Sequence, residues 1–123
     1  MRPTFLGKET TGGQSPTLYV TERGTYLVQG WIVTDIGILA MLNMSDGETC
    51  VEVPAPLLTH LAKDGLNGEV TNLVFPIVHV KEDGNYIIQG ERVTDSEALA
   101  MMDIPDHETC VEVLKAHVVA LLR

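Results

Sequence analysis

Basic residues are scarce in this chain. Lys and Arg number 8 against 17 Asp and Glu, a formal charge of −9 over 123 residues. Nucleic-acid affinity comes largely from cations that displace counterions from phosphates. The balance therefore argues against nucleic acid as a partner, and anionic membrane surfaces are disfavoured for the same reason. No apolar run reaches the roughly 18 residues of a membrane-spanning helix. The opening stretch MRPTFLGKETTGGQSP holds no apolar core of a secretory signal. A cytoplasmic protein is expected, with its two cysteines reduced.

Catalytic templates are also missing. Gly13-Gln14-Ser15-Pro16-Thr17 lacks the second glycine of a nucleophile elbow. Gly7-Lys8 is followed by Glu9 where a phosphate loop needs Ser or Thr. His107-Glu108 opens no HExxH, and no glycine-rich dinucleotide fingerprint is present. The chain is expected not to be an enzyme and to use no cofactor.

What is present is a repeat. Shifted by sixty, residues 16–53 fall on 76–113 without a gap, and 20 of the 38 positions are identical. Gln29-Gly30 matches Gln89-Gly90, Val33-Thr34-Asp35 matches Val93-Thr94-Asp95, and Glu48 to Val53 (ETCVEV) recurs as Glu108 to Val113. Each copy reads as strand, glycine turn, strand, short helix, strand, helix. PTLYV and PIVHV are the first strands, and TYLVQG and NYIIQG the return strands. A glycine so late in a strand marks a bulge or a close backbone approach. Thr94-Asp95-Ser96-Glu97 has the form of a capping box with a hydroxyl cap. Pro56 and Gly65 bracket the helix that follows the first ETCVEV.

The expected fold is α+β: two tandem β-β-α-β-α repeats of period 60, packed about a pseudo-twofold axis into one domain. The expected divisions are a flexible N-terminal segment at 1–15, a first repeat at 16–64, a linker at 65–75 and a second repeat at 76–123. Neither half, at roughly 50 residues, buries much core alone.

In ETCVEV the valines make one strand face, and Glu48, Cys50 and Glu52 the other. The valine face reads as core and the cysteine row as the less buried side. Three readings of that row stay open. It is the solvated side of a strand; it is half of a metal cluster of Cys50, Cys110, Glu48 and Glu108, joined by His107; or it brings Cys50 and Cys110 together as a disulfide or interface pair. Nearby carboxylates raise a thiol's pKa, which disfavours a nucleophile. None of His60, His79, His107 and His117 has a histidine as its repeat counterpart. Tyr26, Tyr86, Gln29 and Gln89 are candidates to line a pocket or to pack across the sheet. Trp31, the single tryptophan, stands where the second copy has Glu91, which suggests an interaction surface or a buried site.

YLVQGWIVTD and ETCVEV, with the TFLGK and SPTLY strings near the start, resemble a small uncharacterised group of actinobacterial proteins. That resemblance implies a bacterial cytosolic protein and no known activity. ERGTYLVQGWIVTDIGILAMLNMSDGETCVEV also resembles, more weakly, the swapped-hairpin regulators of the AbrB type, in its order of turn, strand, short helix, turn and VEV strand. It departs from them in its longer return strand, in Thr-Asp at the helix start, and in Leu39 and Leu99 where a basic residue is typical. The functional expectation is a non-enzymatic protein-interaction or regulatory protein, with a protein partner or a second copy of itself. The alternative is a small-ligand or metal site at the pseudo-twofold junction.

Overall fold

The computed structural model describes residues 1–9 and 15–123. The chain is α+β, with seven antiparallel strands in one sheet among the described residues. After β1 (Thr4–Lys8), the order is β2 (Thr17–Val20), β3 (Thr25–Ile32), α1 (Ile36–Met41), β4 (Glu48–Val53) and a 3-10 helix (Ala55–Asp64). Then come β5 (Ile77–Val80), β6 (Tyr86–Arg92), α2 (Ser96–Ala100), β7 (Glu108–Leu114) and α3 (Lys115–Val119).

The pairing is interlocked. β3 runs along β7, with Gln29 opposite Cys110, and β4 runs along β6, with Cys50 opposite Gln89. At their far ends β3 turns onto β4, with Trp31 opposite Glu52, and β6 onto β7, with Glu91 opposite Glu112. These four strands therefore close into a ring, which removes their free edges. β2 and then β1 extend the sheet from β3, and β5 extends it from β6. Among the described residues, the two strands that end the sheet are β1 and β5.

Gly30 and Gly90 sit where the ring closes. A Cβ on Gly30 would lie 2.6 Å from the Glu52 carbonyl oxygen, and one on Gly90 would lie 2.6 Å from the Glu112 carbonyl oxygen. The late glycines are thus points of close backbone approach, as their position suggests.

Inside the ring, Val51, Val53, Val111 and Val113 join Tyr26, Val28 and Ile88 in the main core. The 3-10 helix adds Leu57, Leu58 and Leu61, and the C-terminal turns add Val118 and Leu121. The valine face is the core face. The cysteine face, however, is not the less buried side. Val33 and Ile38 cover Cys50 together with Ile87, while Val93 and Ala98 cover Cys110 together with Leu27. Both thiols are 2% exposed. A short helix laid over the outer face gives each half a second apolar layer, which strand alternation alone does not reveal.

Three local expectations change. Residues 4–8 of the segment expected to be loose form β1, held to β2 with Phe5 opposite Tyr19 and Lys8 opposite Thr17. Leu6 of that strand is buried in the main core, and this anchors it. The helix caps are Asp35 and Asp95, not the preceding threonines. Their carboxylates accept from the Ile38 and Ala98 amides at 3.1 and 2.9 Å. Glu97 is then free to bind the N-terminal ammonium at 2.8 Å. The expected first-repeat helix over APLLTHLAKD is a 3-10 helix, ended by Gly65 in the left-handed region at φ 80°. Its three leucines, Leu57, Leu58 and Leu61, are the residues it buries.

Candidate functional site

All four glutamates of the two ETCVEV strands are bound by side chains of the other half. Thr25 Oγ1 donates to Glu112 Oε2 at 2.7 Å, and Asn85 Nδ2 to Glu52 Oε2 at 2.8 Å. Gln29 Nε2 donates to Glu108 Oε1 at 2.7 Å, and Gln89 Nε2 to Glu48 Oε1 at 3.2 Å. The same two amides donate to the carbonyls of Asp103 and Asn43, at 2.8 and 3.2 Å. This pair of Gln–Glu contacts arises because β3 lies on β7 and β6 on β4, which faces a return-strand glutamine with the first glutamate of ETCVEV.

The two pairs differ in what covers them. The Glu108 side chain is fully buried. Its second oxygen accepts from the Ser15 amide at 3.2 Å and faces His107 Nε2 at 3.7 Å. Tyr19 Oη donates to Gln29 Oε1 at 3.5 Å. Burial, then the proximity of Cys110, raises the Tyr19 pKa, so the hydroxyl stays protonated as a donor. The chain around β1 and β2 thus seals this pair.

Glu48 is only partly buried. One oxygen accepts from both Gln89 and the Ser45 amide, at 3.2 and 2.8 Å. Among the described residues the other oxygen accepts nothing. Glu48 and Gln89 form the polar end of an open groove of about 660 Å³, whose apolar wall includes Met41, Leu73, Val74, Phe75 and Val78. Four of these, Met41, Leu73, Val74 and Phe75, are 44–62% exposed. Phe75 meets His117 edge-on at 5.4 Å between ring centroids.

The four residues proposed as metal ligands do not assemble. Cys50 and Cys110 lie in different apolar clusters and are free thiols. Among the described residues no group of three or more His, Cys, Asp or Glu is placed to hold a metal ion. Burial raises the pKa of both thiols, with Glu112 adding to the effect at Cys110. Both thiols are therefore expected to stay silent towards a disulfide reagent at mildly alkaline pH in the folded chain, and to react together once guanidinium unfolds it. Rapid modification of the folded protein would contradict their placement.

Trp31 is half-buried at the strand crossing, beside Ile32 at 45% and Ile36 at 82% exposure. His60 bonds Glu9 at 2.8 Å, and His79 lies half-buried on β5. The Gln–Glu pairs were not singled out from the sequence as a site. The signal was there, since both members are doubled, but strand neighbours are invisible without the crossing order of the ring.

No helix among the described residues is long and apolar enough to cross a membrane. The chain matches no family model, no curated protein and no solved structure.

Proposed function

We propose that this chain is a non-enzymatic protein-interaction module built of two repeats about a pseudo-twofold axis, and that it binds its partner in the groove that ends at Glu48 and Gln89. The repeat reading is supported by pairings that recur sixty residues apart: Gln29 with Cys110 and Gln89 with Cys50, Trp31 with Glu52 and Glu91 with Glu112. Strand exchange of this kind also fits the likeness to swapped-hairpin regulators. DNA is disfavoured as the partner by the charge of −9.

The observation that carries the reading is the difference between the two Gln–Glu pairs. One is sealed by the chain itself. The other opens onto Leu73, Val74 and Phe75, three consecutive exposed apolar side chains that share the groove with exposed Met41. Contiguous exposed apolar surface rimmed by polar groups marks interaction sites. A second copy is the weaker partner, because each chain carries −9 and like charges repel across a close contact. Exposed Ile32 and Ile36, beside half-buried Trp31, form a second apolar strip that the same partner is proposed to reach.

A photo-cross-linking residue at Val74 tests this in the native host. The partner it captures is expected to be lost when Leu73 and Phe75 are both changed to Ser, with melting lowered by only a few degrees because both side chains are half-exposed. Trp31→Glu is expected to keep the fold at a cost of about 1 kcal/mol and to weaken the same capture. Undiminished capture by the Leu73/Phe75 variant would contradict the proposal.

A further inference from the structure

We propose that the outer edge of β5 takes up an extended segment of the partner, which adds an antiparallel strand to the sheet and places a lysine or arginine against Glu48. The inference rests on the reading of the groove as the binding site and names how the partner enters it.

The chain supplies its own template. β2 occupies in the first half the place that β5 occupies in the second, next to the return strand. β2 is covered on its outer side by β1, with Thr4 opposite Val20, Phe5 opposite Tyr19 and Lys8 opposite Thr17. Among the described residues β5 has no strand on that side. An exposed sheet edge binds extended peptides through main-chain hydrogen bonds, with side-chain pockets setting specificity.

The other terminal edge is blunted. Lys63 Nζ donates to the Leu6 carbonyl of β1 at 2.9 Å, and the His60 ring lies against Gly7. Lysines and covering helices are the usual means of protecting an edge. Among the described residues β5 has neither a lysine bonded to its backbone nor a helix over it; its guards are only its four-residue length and the bulge between Ile77 and His79.

Charge selects the occupant. Beside the sealed pair, Lys8 of β1 and His107 line a cavity shared with Tyr19 and Asp103. His107 faces the buried carboxylate at 3.7 Å, and Lys8 of the covering strand lies across the same cavity. Beside the open pair, Glu48 is the single charged residue on the groove wall, and one of its oxygens is unpartnered among the described residues. The missing element is an extended, cationic segment with an apolar pair two residues before its basic residue, as in Phe5-Leu6-Gly7-Lys8. A carboxylate that already accepts two hydrogen bonds on one oxygen is oriented to accept an ammonium or guanidinium on the other.

The test is a titration of intact, isotope-labelled protein with a synthetic peptide spanning Arg2 to Glu9 of this chain, followed by amide NMR. Shifts are expected at Ile77–Val80 and at the Gln89 side chain. Lys8→Glu in the peptide, and separately Glu48→Gln in the protein, are each expected to weaken binding about tenfold. Shifts confined to Thr17–Val20, where the peptide would merely displace β1, would overturn the inference. So would unchanged affinity with either substitution, or no shift on β5 at millimolar peptide. If β5 stays silent while the Leu73/Phe75 variant still loses its partner, strand addition fails and the groove survives as the site. If that variant keeps its partner, the groove itself fails.

Discussion

Alanine at Gly30 is expected to cost about 3 kcal/mol of folding free energy, and alanine at Gly90 about the same. The cause is backbone, not side chain. The new Cβ would stand 2.6 Å from a carbonyl oxygen of the crossing strand and within 2.9 Å of a valine methyl, Val53 at Gly30 and Val113 at Gly90. A flexible side chain would rotate away from such a contact; a carbonyl held in a ladder takes its strand with it. A drop of about 10 °C in melting temperature follows for a chain of this size. Gly24 is the control. It has a φ of 72° with open space around its Cβ, so alanine there meets only the left-handed penalty of about 1 kcal/mol. Equal losses at Gly24 and Gly30 would show that the ring does not close as described.

Alanine at Glu108 is expected to destabilise the fold by about 3 kcal/mol, against about 1 kcal/mol or less for alanine at Glu48. Both residues open the same Glu-Thr-Cys-Val-Glu-Val string, so the repeat alone predicts similar costs. The structure separates them. Removing the buried Glu108 carboxylate strands one donor of the buried Gln29 away from water at its full desolvation penalty, and leaves the part-buried Ser15 amide without its acceptor. Removing Glu48 leaves one donor of Gln89 in a part-buried contact at the groove, where water can reach it, and the exposed Ser45 amide. Urea titration of the two variants measures the difference. Glu48→Ala should also lose partner binding, whereas Glu108→Ala, wherever it remains folded, should keep it.

Much of this arrangement is legible in the amino-acid order, and what is not has a physical reason. The valine faces of ETCVEV, the glycine turns and the close approach at Gly30 and Gly90 follow from local periodicity and steric rules. The burial of Cys50 and Cys110 does not, because it depends on Ile38 and Ala98 arriving from helices whose docking no local pattern encodes. β1 is hidden for another reason. Thr4–Lys8 has no counterpart in the second half, where the equivalent residues 64–68 read Asp-Gly-Leu-Asn-Gly, a string of turn formers. Comparing the copies therefore draws attention away from the one strand that makes them unequal. That inequality leaves one Gln–Glu pair sealed and the other open.

Amide hydrogen exchange across β2 and β5 tests the central claim most directly, that β5 is an open edge which the partner covers. In the free protein, Ile77–Val80 should exchange markedly faster than Thr17–Val20, and partner binding should slow β5 towards the β2 rate. Protection of β5 equal to that of β2 in the free chain, or β5 exchange unchanged with the partner bound, would contradict it.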